Sequence, residues 1–280
     1  MRKRIAAIHD LACYGGAALM NIIPIMYNLG VEVNPIPTAI FTSHGAFNGV
    51  KKTENDAFMK EYLFQWKSND FKFDGIYIGL FTSPKQVEFT KEFLDSFKHK
   101  DTLVVLDPIL GDNGKLYGFM DEDSIENVKA ILEKADVITP NLTEAALLTG
   151  MDYKKCCCEE EIEKCLKVLG KLGPKYVIIT SVCLDDKMYI YIYDKTKDSV
   201  EYLCREKLKG SYPGTGDAFT AVLMGCLMKG MSICESAEKA AEFVEAGISL
   251  VISNNLNPLE GLPLADIKLT SKLKECFKSV

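Results

Sequence analysis

At 280 residues, 48% of them hydrophobic and 26% charged, with 10 prolines and 20 glycines, the chain has the balance of a globular protein, which excludes collagen-like, linker and tail classes. Its 33 Lys and Arg against 39 Asp and Glu leave a net charge of -6, which argues against DNA or an anionic membrane and favours a small-molecule ligand. A chain of this length can bury about 75% of the surface it exposes when unfolded, so one large domain is as reasonable as two.

The basic start Met1-Arg2-Lys3-Arg4 leads into Ile5-Ala6-Ala7-Ile8, and His9 and Asp10 end that apolar run far short of a signal peptide's core. No stretch approaches the roughly 18 apolar residues of a membrane helix, so a cytoplasmic protein is expected. β-branched runs predict strands at residues 4–9, 31–40, 75–81, 102–107, 136–139 and 176–182. Segments 17–29, 54–67, 84–97, 121–133 and 159–172 carry apolar residues at spacings of three and four and predict helices. This alternation predicts an α/β fold with a mostly parallel central sheet and helices on both faces. Residues 187–194 and 200–208, joined by a turn at 195–198, predict an antiparallel edge hairpin, after which a Gly-rich turn and two long helices close the chain. With no repeat, linker or break in composition, residues 1–280 are read as a single domain.

Ten cysteines form no C-x-x-C pair and there are only three histidines, so a zinc or disulfide framework is not expected. The Cys156-Cys157-Cys158 run reads as a loop or helix start.

Ligands of open α/β sheets bind beyond the carboxyl ends of the strands. There the chain places His9-Asp10, Thr42-Ser43-His44-Gly45, Phe81-Thr82-Ser83, Asp107 to Asp112, and Thr139 to Glu144. Taken singly, each polar residue reads equally as a helix N-cap. The most informative segment is Gly210 to Phe219, ahead of the apolar helix 220–228, because glycines admit an anion close to the backbone and a helix N-terminus turns unpaired N–H groups toward it. Neither G-x-x-x-x-G-K-[ST] nor G-x-G-x-x-G is present. Asp217, in the first turn beside that anion hole, can take the proton of an attacking hydroxyl, which points to phosphoryl transfer to an alcohol.

Gly214-Thr215-Gly216-Asp217 resembles the G-x-G-D signature of the ribokinase-like kinases. Leu106-Asp107-Pro108-Ile109-Leu110-Gly111-Asp112 and Ala135 to Ala145 are similar to the D-P-V-[ML]-G-D and A-D-[IV]-I-T-P-N segments of vitamin kinases, and residues 5–16 and 37–45 to pyridoxal kinases. The resemblance covers residues 4–250. Hydroxymethylpyrimidine kinases share the middle segments, but they commonly carry Cys at the position of Asp217 and a G-G-A-G-I-Q-A-D segment that is absent here, so the pyridoxal/pyridoxamine kinases are the better match.

The resemblance implies that Asp217 is the general base toward the 5'-hydroxymethyl group of a B6 vitamer attacking the γ-phosphate of ATP, with Gly214, Thr215 and Gly216 as the anion hole. It implies Asp107, Asp112, Asn141 and Glu144 around Mg²⁺ and the ATP phosphates, Thr180 and Ser181 at an ATP phosphate, and Asp107 and Thr139 near a monovalent cation, K⁺ or Na⁺. A homodimer is implied too. The vitamin end departs from the family pattern. Asp10 and Leu11 stand where Ser and His are usual, and Asp10 would hold a pyridinium N–H. His44 matches, but Gly45 replaces Thr. Leu80 stands where a ring-stacking Tyr is usual, leaving Phe81 as the substitute, and Tyr117 stands where some bacterial members carry a reactive Cys. A hydroxymethylpyrimidine kinase and a non-catalytic nucleotide- or vitamin-binding regulator remain the alternatives.

Overall fold

The computed structural model describes residues 3–156 and 158–275. In chain order the elements are β1 (Lys3–Ala12), α1 (Leu19–Asn28), β2 (Val31–Phe41), β3 (Lys52–Glu54), α2 (Asp56–Ser68), β4 (Gly75–Ile78) and α3 (Pro84–Phe97). There follow β5 (Leu103–Leu106), β6 (Gly111–Asp112), β7 (Lys115–Leu116), α4 (Glu122–Leu132), β8 (Val137–Ile138), α5 (Leu142–Thr149) and α6 (Glu159–Lys171). The chain closes with β9 (Tyr176–Leu184), β10 (Lys187–Asp194), β11 (Ser199–Glu206), α7 (Thr215–Met228), α8 (Ile233–Ser253), a 3₁₀ turn (Pro258–Glu260) and α9 (Ile267–Glu275). The fold is the expected mostly parallel, helix-flanked sheet.

Contacts group the chain into two compact units: residues 1–77, 97–103 and 208–280, and residues 78–96 and 104–207. In the first, the strand order is β4-β1-β2-β3, with β1 and β2 parallel and the short β3 antiparallel to β2. Ile5, Ala6, Ala7 and Ile8 are all fully buried, which is why this strand reads as an unbroken apolar run rather than an alternating one: it is covered on both faces. α1 packs on α7, and α7 on α8.

In the second unit the order is β5-β8-β9-β10-β11, parallel through β9 and antiparallel beyond it, so the predicted edge hairpin is β10–β11. α6 shows how the sequence specifies a helix. Ile162, Cys165, Leu166 and Leu169 recur at three and four and are buried, while Glu159 to Glu161 in the first turn and Lys171 in the last complement the helix dipole. Burying each Leu or Ile contributes about 1.5–3 kcal/mol.

Several predicted boundaries move. β1 continues to Ala12, so His9 and Asp10 lie inside the strand, where the pairing with β2 slips by one residue between His9 and Leu11. β4 ends at Ile78, short of Phe81. Thr180 and Ser181 do not end their strand: β9 runs on to Leu184, its pairing with β10 slips at this point, and Ser181 has φ 59°, which is a β-bulge. α7 begins at Thr215, five residues before the expected start at 220, so the Gly-rich turn and the helix are continuous. β3, α5, α9 and the β6–β7 hairpin were not anticipated. In the cysteine run, Cys158 is the N-cap of α6 and Cys156 is buried, a helix start as expected; Cys157 lies outside the described residues.

Candidate active site

The candidate residues form two clusters, one in each unit. In the first unit the centre is the start of α7. Gly214, its N-cap, has φ 76°, and a Cβ there would run into the Gly16 carbonyl oxygen, so glycine is required by conformation and by close approach. Asn21, fully buried on α1, secures that approach: its Nδ2 donates to Gly16 O and to Gly214 O, each at 2.9 Å. Within 4 Å of a Cβ at Gly216 there is nothing, so space is open beside the helix N-terminus, whose first N–H groups have no acceptor within the helix. That combination suits an anion.

Asp217 occupies the third helical position and is 7% exposed. Its Oδ2 accepts the Ala18 N–H at 2.7 Å, and its Oδ1 lies 3.1 Å from His9 Nε2. His9 Nδ1 lies in turn 2.8 Å from Asp10 Oδ1. Burial alone would strip the imidazole of its second proton, but the hydrogen bonds and charges of Asp10 and Asp217 outweigh it and raise the His9 pKa to about 10. The structure thus joins Asp10 to Asp217 through a histidine.

His44 is committed within the protein: its Nε2 lies 2.7 Å from Leu259 O, its Nδ1 accepts the Ala46 N–H at 3.3 Å, and its ring packs against Phe47. The ring also lies where a Cβ at Gly15 would be, which keeps the loop after β1 tight. Gly45 is exposed in the adjoining turn.

In the second unit, the segments after β5 and β8 are knitted together. Asn141 caps α5, its Oδ1 accepting the Glu144 N–H at 3.0 Å, and its Nδ2 donates to Gly111 O at 2.8 Å. Glu144 accepts the Leu110 N–H at 3.1 Å and the Asn141 N–H at 2.9 Å, one on each carboxylate oxygen. Burial, and then the charge of Asp107, push the Glu144 carboxyl well above its ordinary pKa against those N–H bonds. Asp107 and Thr139 are buried, whereas Asp112 is exposed and accepts from Asn113. Asn113 and Gly114, with φ 52° and 74°, make the two-residue turn of the β6–β7 hairpin. The Gly114 N–H donates to Thr143 Oγ1 at 2.9 Å. Phe81 and Leu80 are both buried, at 6% and 4%, so Phe81 does not present an open ring face. Tyr117 is 38% exposed and stacked on Phe119.

Sequence reasoning missed His9, Ala18 and Asn21. The His9-Asp10 pair directly after an apolar strand was the available signal for the first. For Ala18 there was none, because its contribution is a backbone N–H. No group of three or more metal-binding side chains occurs among the described residues, and none of their helices is long and apolar enough to cross a membrane.

A family model described as phosphomethylpyrimidine kinase matches residues 13–261. Among solved structures, a Bacteroides thetaiotaomicron protein provisionally assigned as a phosphomethylpyrimidine kinase, crystallised with pyridoxal, is 36% identical with a TM-score of 0.93, covering 98% of this chain and 96% of its own. Pyridoxal kinase from Lactobacillus plantarum is 28% identical with a TM-score of 0.89 and 98% coverage of both chains. The hydroxymethylpyrimidine/phosphomethylpyrimidine kinase of Staphylococcus aureus is 28% identical over 243 residues, 84% of this chain and 83% of that protein.

Proposed function

The chain belongs to the phosphomethylpyrimidine kinase family and is a kinase, and on that premise we propose that it transfers the γ-phosphoryl group of ATP to the 5'-hydroxymethyl group of a B6 vitamer, in pyridoxal phosphate salvage. The observation that carries this reading is Asp217 in the first turn of α7, a carboxylate held at both oxygens beside unpaired helix N–H groups and open space at Gly216. The donors stabilise the charge that develops on the transferring group, and the carboxylate takes the proton of the attacking hydroxyl. The relative crystallised with pyridoxal, and Asp rather than Cys at position 217, support a B6 vitamer over hydroxymethylpyrimidine.

On the vitamin side, we assign Asp10 to the pyridinium N–H, where a charged acceptor makes a hydrogen bond about twice as strong as a neutral pair. His44 and Gly45 act by shaping the loop after β1, and Tyr117 with Phe119 offers an exposed aromatic surface in the second unit. On the nucleotide side, Asp107, Asp112 and Asn141 attend Mg²⁺ and the phosphates, with Thr180 and Ser181 aimed by the β9 bulge. Two buried acids, Asp107 and Glu144, repel each other, and a divalent cation relieves that repulsion; this is the fit of the second cluster to Mg²⁺. Glu144 has an N–H on each oxygen, so its part is to hold the Asn141 and Leu110 segments while Asp107 meets the metal. Thr139 and Asp107 are our assignment for K⁺ or Na⁺. The family match spans segments of both compact units, which supports reading them as one kinase domain, and a cytoplasmic homodimer is our proposal for it.

The test is ADP release with Mg-ATP and pyridoxal, pyridoxamine, pyridoxine, hydroxymethylpyrimidine or no acceptor, for wild type and Asp217→Asn. We expect turnover on B6 vitamers that falls by about 10² to 10⁴ in the variant, the span general-base catalysis supplies. Turnover on hydroxymethylpyrimidine alone would overturn the substrate, and no turnover on any acceptor would leave a regulatory binding protein.

A further inference from the structure

Resting on the kinase reading above, we propose that His9 is a positioning residue for phosphoryl transfer, an imidazolium bridging two carboxylates that locks the base Asp217 in one orientation and ties it to Asp10. An aspartate that must meet a hydroxyl proton is of use only when its carboxylate cannot swing about the Cβ–Cγ bond. Here two separate elements hold it. The Ala18 N–H at the start of α1 takes Oδ2, and His9 on β1 takes Oδ1. His9 Nε2 and Asp217 Oδ1 face each other at 3.1 Å as an ion pair, and neither makes a hydrogen bond elsewhere, so charge is what couples the ring to that oxygen. Both carboxylate oxygens keep a second lone pair, which leaves a place for the substrate's proton.

The other end of the ring explains why the bridge is a histidine rather than a lysine or an amide. Nδ1 lies 2.8 Å from Asp10 Oδ1 and 2.9 Å from the Asp10 backbone N–H, two contacts that exclude one another. With two protons the ring donates at Nδ1 to the Asp10 carboxylate; with one proton, on Nε2, it accepts the Asp10 N–H instead, and the Nε2 proton faces Asp217 in both forms. The groups facing the ring are Asp10 on its own strand, Asp217 on α7, and Tyr77 on β4, whose ring lies 5.9 Å away. Set between two carboxyl groups at 2.8 and 3.1 Å and only 2% exposed, His9 is held in its charged form, in keeping with its raised pKa. A pyridinium on Asp10 and the hydroxyl on Asp217 would then be read by two acids joined through one ring.

The experiment combines imidazole NMR with kinetics. The chain has three histidines, so His9→Gln identifies the His9 resonance. We expect that resonance to stay doubly protonated at pH 8, to titrate near 10, and to titrate lower in Asp10→Asn and in Asp217→Asn. In kinetics, His9→Gln keeps a neutral donor toward Asp217 and should retain about a tenth or more of kcat, whereas His9→Phe, with none, should lose about 10²-fold in kcat while KM for ATP stays within about threefold. A His9 that titrates in the ordinary histidine range near 6.5, or folded variants that both keep wild-type kcat, would overturn the proposal. Hydroxymethylpyrimidine is included as acceptor, so the variants are compared on whichever acceptor turns over. Failure of the B6 reading is thereby seen in the wild type, and failure of the His9 bridge only in the variants and the titration.

Discussion

Ala18 holds Asp217 through its N–H in a conformation that L-residues avoid, with φ 53° and ψ -137°. A non-glycine residue there stores about 1–3 kcal/mol of strain. Glycine relieves it at the cost of about 0.4–1 kcal/mol in unfolded-state entropy. Ala18→Gly is therefore expected to raise stability by about 1 kcal/mol, seen as a higher urea midpoint with unchanged m-value, and a lowered midpoint would show that the buried methyl matters more than the backbone. His9 makes a second prediction, about pH. Its folded pKa is raised above the unfolded value of 6.5, so folding takes up a proton, and the stabilisation is fully present below about 6.5 and lost as pH rises through about 10. Between pH 7 and 10 the wild type should lose stability more steeply than His9→Gln in denaturant titrations; parallel curves would mean that the ring is neutral when folded.

At the scale of elements, the beginning of α7 is a helix start without a side-chain cap, and Asn21 fixes the turn ahead of it by bridging the Gly16 and Gly214 carbonyls. Gly214→Ala meets the Gly16 carbonyl and a positive φ together, so we expect the Asn21 bridge to open and activity to fall along with stability. Gly216→Ala meets nothing, and it should fold with near-native stability while weakening nucleotide or product binding, a contrast that thermal melts and KM for ATP would expose. The β6–β7 hairpin was present in the sequence as Asn113-Gly114, a two-residue turn signal, but strands of two residues lack any alternation to mark them. α5 was hidden differently. Its eight residues are mostly buried, so no polar face marks a helical period, and only the Asn141 and Glu144 capping box announces it.

For the whole molecule, the first unit exposes large apolar side chains on α1 and α2, among them Tyr27 at 56%, Phe58 at 58% and Phe64 at 73%. Isolated exposed residues are ordinary, whereas two large exposed rings on the one helix α2, Phe58 and Phe64, suit the homodimer proposed above. Sedimentation should give a dimer for the wild type and a monomer for a Phe58→Glu, Phe64→Glu double variant, and an unchanged dimer in that variant would exclude this face. The sequence by itself determined the α/β class, most helix and strand positions, and the Gly214 to Asp217 glycine turn with its acid, because these depend on local periodicity, turn chemistry and short motifs. Only the tertiary structure decided that His9 lies inside β1 between Asp10 and Asp217, that Ala18 and Asn21 brace Asp217 and its glycine turn, and that Glu144 spends both oxygens on backbone N–H groups. Those contacts join residues as far apart as His9 and Asp217, and which buried donor meets which acceptor is settled when distant segments pack and polar groups must find partners.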